Sequence, residues 1–280
     1  MNQRPRTFLA PNASPMTQDG TITYVVGRER IAIIDPGSDD PAHLDALAAV
    51  ADEAERAVVI VTHDHPDHSS GALALAERTG AALLGGHAGR AGEDVGRPDR
   101  SRGVRRAVRA VETGAGAAAR AAGGGLLADG VSIDTDAGDL IVLRTPGHSP
   151  DHIALHWPDA SAIFCGDLMM GGMDTAVVAA PEGDLGAYLA SLERIRDLAP
   201  EIIYPAHGPP FTDPDRAIDR YLRHRVERIE QVRAALDEQV ADVRAITDRV
   251  YGGSLEPRLR PFAEAAVAAY IAYIRSESKA

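Results

Sequence analysis

The chemistry of this chain is concentrated in one short stretch, Thr62-His63-Asp64-His65-Pro66-Asp67-His68, which crowds three histidines and two aspartates into a single turn. An apolar run at residues 57–61 leads straight into it. A core strand cannot bury such a cluster unpartnered, because each uncompensated charge costs several kcal/mol. The turn therefore faces solvent or a metal. Three later segments repeat the arrangement of an apolar run, a glycine-containing turn and one ligand residue. Residues 140–144 run into Thr145-Pro146-Gly147-His148, residues 162–165 into Gly166-Asp167, and residues 202–204 into Pro205-Ala206-His207-Gly208. Imidazole and carboxylate donors without a thiolate suit Zn²⁺, and also Fe or Mn. Two such ions about 3.5–4 Å apart share a hydroxide and clamp a substrate oxygen. Zinc also lowers the pKa of bound water from about 15.7 to about 7. The pattern thus points to hydrolysis without a Ser or Cys nucleophile, with Asp67 placed to orient the attacking hydroxide.

Positioning these residues requires a set of strand ends on one rim. Residues 21–27 are β-rich, and residues 29–36 hold the run Ile31-Ala32-Ile33-Ile34, stopped by Asp35-Pro36-Gly37 as a buried strand entering a turn. Asp39 or Asp40 before Pro41 is an N-cap and first-turn signature, and Leu44, Leu47 and Val50 follow at helical spacing. Residues 69–78 read as helix and 81–84 as a short strand. Further strands are expected at 140–144, 153–157, 162–165 and 201–204, and a helix at 185–198. From Pro214, capped by Asp213, the pattern turns helical, with Ile218, Tyr221, Leu222, Val226, Ile229, Val232 and Leu236 on one stripe. A boundary near 213 divides a catalytic domain (1–213) from a helical module (214–280). Residues 88–125, rich in Gly, Ala and Arg, read as a surface excursion.

The turn His63-x-His65-x-Asp67-His68, followed in order by His148, Asp167 and His207, resembles the metallo-β-lactamase superfamily over residues 20–212. That resemblance implies an α/β chain folded as an αββα sandwich with a dinuclear site at one edge. It implies that His63, His65 and His148 hold one ion, that Asp67, His68 and His207 hold the second, and that Asp167 bridges both. Asp35 corresponds to a supporting aspartate that orients the ligand turn. An aspartate at the bridging position sets the chain apart from the best-known β-lactamases, which place a cysteine there. The one cysteine, Cys165, lies two residues earlier on the strand and reads as a buried small hydrophobe. The stretches 145–153, 165–168 and 204–209 are similar to the β-lactamase-like protein 2 and glyoxalase II-like branch, as is Tyr221-Leu-Arg-His224-Arg225 opening the helical module. In that branch the module is winged-helix-like. Here the chain ends at Ala280 with no residues for the wing strands, so an incomplete, helical cap is expected.

The resemblance and the donors together give a dinuclear hydrolase of a small ester, thioester, lactone or amide, with a ribonuclease or phosphodiesterase as the alternative. His224 and Arg225 either contact an anionic group of the substrate or form an interdomain polar pair. Arg97–Arg109 either binds an anion or is solvated; His87 falls near the pocket or does not. His152 and His156 read as ordinary polar or packed residues, and residues 168–173 as pocket wall or core. The net charge of -12 disfavours non-specific attraction to nucleic acid or anionic membranes, and residues from 216 onward carry only 12 basic against 10 acidic groups. One cysteine excludes an intrachain disulfide. No signal-peptide or membrane-length apolar run is present, so a small-molecule enzyme of the cytoplasm is the expectation.

Overall fold

The computed structural model describes residues 4–85, 127–173, 176, 178–240, 242–252 and 255–277. One mixed sheet is ordered β1 (Arg6–Leu9), β2 (Ile22–Val26), β3 (Arg30–Ile34), β4 (Arg56–Val61) and β5 (Ala82–Gly85). The second runs from β6 (Ser132–Ile133) through β7 (Leu140–Arg144), β8 (Ile153–Trp157) and β9 (Ala162–Gly166) to β10 (Ile202–Pro205). The apolar runs seen in the sequence are continuous because both faces of these strands are buried. Ile31, Ile33, Val59 and Val61 turn outward onto α1 (Pro41–Asp52) and, beyond the short α2 (Pro66–Ser69), α3 (Ala72–Thr79), meeting Leu44, Leu47 and Leu75. Their neighbours Ala32, Ile34 and Ile60 turn inward to meet Leu155, Trp157 and Phe164 of the second sheet. That sheet's other face, with Leu143, Ile163, Cys165 and Ile203, packs on α4 (Leu185–Asp197), α5 (Pro214–Asp237) and, past α6 (Val243–Tyr251), α7 (Arg260–Glu277). The layering is αββα.

Strand direction places the functional turns together. β3 and β4 are parallel, as are β9 and β10. β7 is antiparallel to β8, and β8 to β9, so β7, β9 and β10 share one direction. The sheets are stitched where these strands end. Ile153 N–H donates to Thr62 O at 2.9 Å, and Ile22 N–H to Ala206 O at 2.8 Å. The Tyr24 hydroxyl donates to Pro205 O at 2.7 Å.

Both Asp-Pro signatures are helix starts: Asp40 accepts from His43 N–H and Asp213 from Arg216 N–H. Two details depart from expectation. β1 was not legible, because an edge strand with mostly exposed side chains leaves no apolar pattern. The helix expected at 69–78 is two helices broken at Gly71, whose N–H donates to Gly37 O and where a Cβ would sit 2.3 Å from Ser38 O. The helices after Pro214 share one apolar cluster with β7, β8, β9, β10 and α4. Among the described residues every named element after β10 is a helix. No described helix is long and apolar enough to cross a membrane.

Candidate metal centre

Asp35 is where the ligand turn is anchored. It follows β3 with φ of +50°, a left-handed conformation that Asp tolerates better than most residues. Its carboxylate accepts from Thr62 N–H at 2.7 Å, from the Thr62 hydroxyl at 2.8 Å and from His68 Nδ1 at 3.0 Å. With its proton committed to Asp35, the Thr62 oxygen accepts from His63 Nδ1 at 3.1 Å. The supporting role inferred for Asp35 thus has a direct geometric basis. From the other side, the Thr21 hydroxyl donates to Asp67 O at 2.8 Å, Asn12 Nδ2 donates to the same oxygen at 3.4 Å, and Gly37 N–H donates to His68 O at 3.0 Å.

These bonds fix tautomers as well as positions. His63 and His68 use Nδ1 on Thr62 and Asp35, and His207 turns Nδ1 to Gly20 O at 3.3 Å. His65 turns Nε2 toward Glu182 at 3.4 Å. The ring nitrogens left over point inward. His65 Nδ1 and His148 Nε2 face each other at 3.0 Å. Asp167 Oδ1 lies 3.3 Å from His68 Nε2 and 3.2 Å from His207 Nε2, while Oδ2 lies 3.7 Å from His148 Nε2. Asp67 Oδ2 is 3.4 Å from His207 Nε2. The donor atoms fall into two groups, His63/His65/His148 and Asp67/His68/Asp167/His207, each within 4.8 Å. Asp167 belongs to the second and reaches toward the first.

Whether a metal fits can be judged from satisfied bonds. His63 Nε2, His68 Nε2, His207 Nε2 and Asp167 Oδ1 are all buried and, apart from the ion pairs of Asp167 with His68 and His207, make no hydrogen bond. Orphaned buried polar atoms carry an appreciable free-energy cost, and several converging on one point are the signature of ligands. The electrostatics agree. Burial opposes charge on Asp167, yet His68 and His207 hold its carboxyl well below the usual range. Burial likewise disfavours the His207 imidazolium, but Asp167 and Asp67 raise it to about 9. His68 is raised against burial by Asp167 and Asp35, whereas burial, with His68 and His148 close by, pushes His63 well down. Such groups cluster where positive charge is wanted.

Sequence reading undervalued two residues of the 145–153 turn. His152 is fully buried, its Nε2 accepts the Asp167 N–H at 3.1 Å and its Nδ1 meets the Thr145 hydroxyl at 2.8 Å. Burial, followed by His148, lowers it to about 3, so it stays neutral and fixes the Asp167 backbone. Asp151 accepts from Asp64 N–H at 2.8 Å and from the Ser149 hydroxyl at 2.7 Å, locking the His148 turn to the ligand turn. They lie three and four residues after His148, and that proximity was the signal the sequence offered. Cys165 is buried with its thiol pushed up by burial, as expected of a packing residue. His156 is half-buried on β8 and belongs to neither donor group.

A cavity of about 470 Å³ opens over the donors. His65, Asp67, His148 and Asp167 form its floor. Met16, Met170, the loop at 179–182, and Pro261, Phe262 and Ala265 of α7 form its walls. Of the stretch 168–173, Leu168 and Met169 are core and Met170 is wall. His224 and Arg225 are not among the described residues that line it. Arg225 is 3 % exposed: its guanidinium donates to Tyr270 Oη at 2.8 Å and to Ala176 O, and stacks 4.8 Å from the Tyr188 ring. It is committed to joining α4, α5, α7 and the loop that leads to the cavity wall. His87 and Arg97–Arg109 lie outside the described residues.

Known proteins match this chain along most of its length. It is 30 % identical over 237 residues to an atrochrysone carboxyl ACP thioesterase of Aspergillus chevalieri, covering 82 % of this chain and 65 % of that one. It is 29 % identical to a beta-lactamase-like protein 2 homolog of Drosophila melanogaster, over 80 % of this chain and 71 % of the relative. Among solved structures, a beta-lactamase domain protein from Burkholderia ambifaria superimposes with a TM-score of 0.72 at 22 % identity, covering 98 % of this chain and 86 % of that one. The family model of the metallo-beta-lactamase superfamily matches residues 17–207, and the chain belongs to that superfamily.

Proposed function

We propose that this chain is a metal-dependent hydrolase of small acyl substrates, thioesters and esters foremost, with lactones and amides in the same chemical class. One observation carries the reading: seven donors on four strand ends converge, and His63, His65, His68 and His207 each turn their other ring nitrogen to a protein partner. His63, His65 and His148 would hold one divalent ion, Asp67, His68 and His207 a second, and Asp167 would bridge them. Zinc suits these donors, and Fe and Mn fit the same set. Bound there, the ions supply carbonyl polarisation and a water acidic enough to react near neutral pH.

The residues of the chain do the positioning. Asp35, Thr62, Asp151 and His152 hold the donor-bearing turns rigid, which limits reorganisation during reaction. Asp67, whose carboxylate is 28 % exposed to the cavity, orients the hydrolytic water and takes up its proton. Water adds across the acyl C–S or C–O bond, leaving a carboxylic acid and a thiol or alcohol. The thioesterase named among the relatives supports the acyl assignment. The cavity has the size of a small-molecule site. A nuclease reading has less support, since single-stranded nucleic acid needs a basic groove with stacking aromatics, and no Lys or Arg lines the cavity among the described residues.

The test is metal analysis on purified protein, then turnover of a thioester, lactone, cephalosporin, phosphodiester and short RNA on the same sample. About two ions per chain with acyl turnover supports the proposal. Cleavage confined to RNA or the phosphodiester moves the assignment to the nuclease branch. Absence of bound metal after supplementation refutes the metal mechanism.

A further inference from the structure

The cavity walls describe the acyl group the site accepts, an inference that rests on the hydrolase reading. Opposite the donors, Met16, Met170, Pro181, Pro261, Phe262 and Ala265 present an apolar surface. Its charged lining groups are all acidic apart from the histidines of the floor: Asp67, Asp167 and Glu182, with Glu182 already turned to His65 Nε2. Among the described residues no lysine or arginine lines it, so nothing there would neutralise a carboxylate or phosphate on the acyl tail. Phe262 is 45 % exposed, a large apolar side chain left open at a cavity wall. Such exposure is informative where it borders a pocket. The wall is also built to be firm. Ala180 N–H donates to Ala265 O at 3.1 Å, joining the 179–182 loop to the first turns of α7, and Asp184 N–H donates to Gly147 O at 2.9 Å, joining that loop to the His148 turn.

We infer that the site selects thioesters and esters whose acyl group is uncharged and apolar, several carbons long, seated between the 179–182 loop and the first turns of α7, with Phe262 setting the preference. The acyl carbonyl lies over the donors and its tail lies along the wall. The helical module then contributes to specificity through Pro261, Phe262 and Ala265, while the ligand turns carry the chemistry.

The experiment uses metal-loaded full-length protein and N-acetylcysteamine thioesters, so that the leaving group is constant while the acyl group is acetyl, butyryl, hexanoyl, succinyl or 4-aminobutyryl. The expected result is a rise in kcat/KM of about fourfold per added methylene until the wall is filled. Succinyl and 4-aminobutyryl should fall below butyryl. Phe262→Ala should lower the hexanoyl-to-acetyl ratio about tenfold, and Phe262→Lys should shift preference toward succinyl. Because Phe262 is 45 % exposed and outside the apolar core, both variants are expected to fold, with circular dichroism as the control. Equal kcat/KM for acetyl and hexanoyl, or a preference for either charged tail, would overturn the inference while leaving the hydrolase reading intact. If no thioester is turned over at all, the thioester part of the hydrolase reading fails, and calorimetry with free acids decides the wall separately. Hexanoate binding more tightly than acetate to the wild type, with the difference lost in Phe262→Ala, supports the apolar wall; equal binding refutes it.

Discussion

Asp35 accepts three hydrogen bonds in a conformation that few side chains tolerate, and its carboxylate is what aims His68 and, through Thr62, His63. Asn tolerates the same backbone but offers one acceptor oxygen where Asp offers two. Asp35→Asn should therefore fold and lose about 10–100-fold in metal affinity, read by competition against a chromogenic chelator with circular dichroism as the control. Undiminished affinity would show that Thr62 alone orients the turn. The buried histidines also set a pH profile. In protein stripped by a chelator, His207, raised to about 9, contributes stability that is complete below pH 6.5 and lost as pH rises through 9. His152, lowered to about 3, acts with the opposite sign, so stability falls as pH drops from 6.5 toward 3. The stripped protein should melt highest near pH 6.5, and restoring metal should flatten the alkaline limb because the ion replaces the proton. A melting temperature still rising above pH 8 without metal would contradict this assignment.

At the scale of elements, the site depends on how closely its turns approach the helices behind them. Gly147 has φ of +136°, and a Cβ there would lie 2.3 Å from the Tyr188 Cα on α4. Gly147→Ala should cost roughly 3 kcal/mol, seen as a lowered midpoint in denaturant. It should also weaken metal binding, since His148 is the next residue. A full retention of both would mean that the turn has room to move. Arg225 plays the corresponding part on the far side, linking α5 to Tyr270 of α7 and to Ala176. A polar pair at the start of a helical module suggests a substrate contact when read along the chain. The neighbours of Arg225 favour the other sequence-based alternative, an interdomain polar contact, for that residue.

For the whole molecule, the division at residue 213 is a change in sequence character, while the apolar packing is continuous across it. Tyr188, Leu192 and Ile203 pack with Ile218, Tyr221, Val267 and Tyr270 in one cluster. Removing residues 216–280 should expose that face and yield an aggregating or molten product rather than a smaller enzyme, judged by solubility and near-ultraviolet circular dichroism. A soluble, cooperatively folding fragment would establish two separable domains.

The ligands, their order, and the strand that precedes each were legible in the sequence, because a buried strand running into a charged turn is a local pattern with few physical solutions. Asp40 and Asp213 were legible as caps for the same reason: an N-cap bonds within three residues. Only the tertiary structure decided that four strand ends share one rim, that His152 holds Asp167 and Asp151 holds Asp64, and that Arg225 faces inward. It also set Phe262 beside donors that precede it by up to 197 residues in the chain, from His65 to Phe262. These contacts join segments far apart in sequence, and sheet order and helix packing, which no local pattern encodes, are what bring them together.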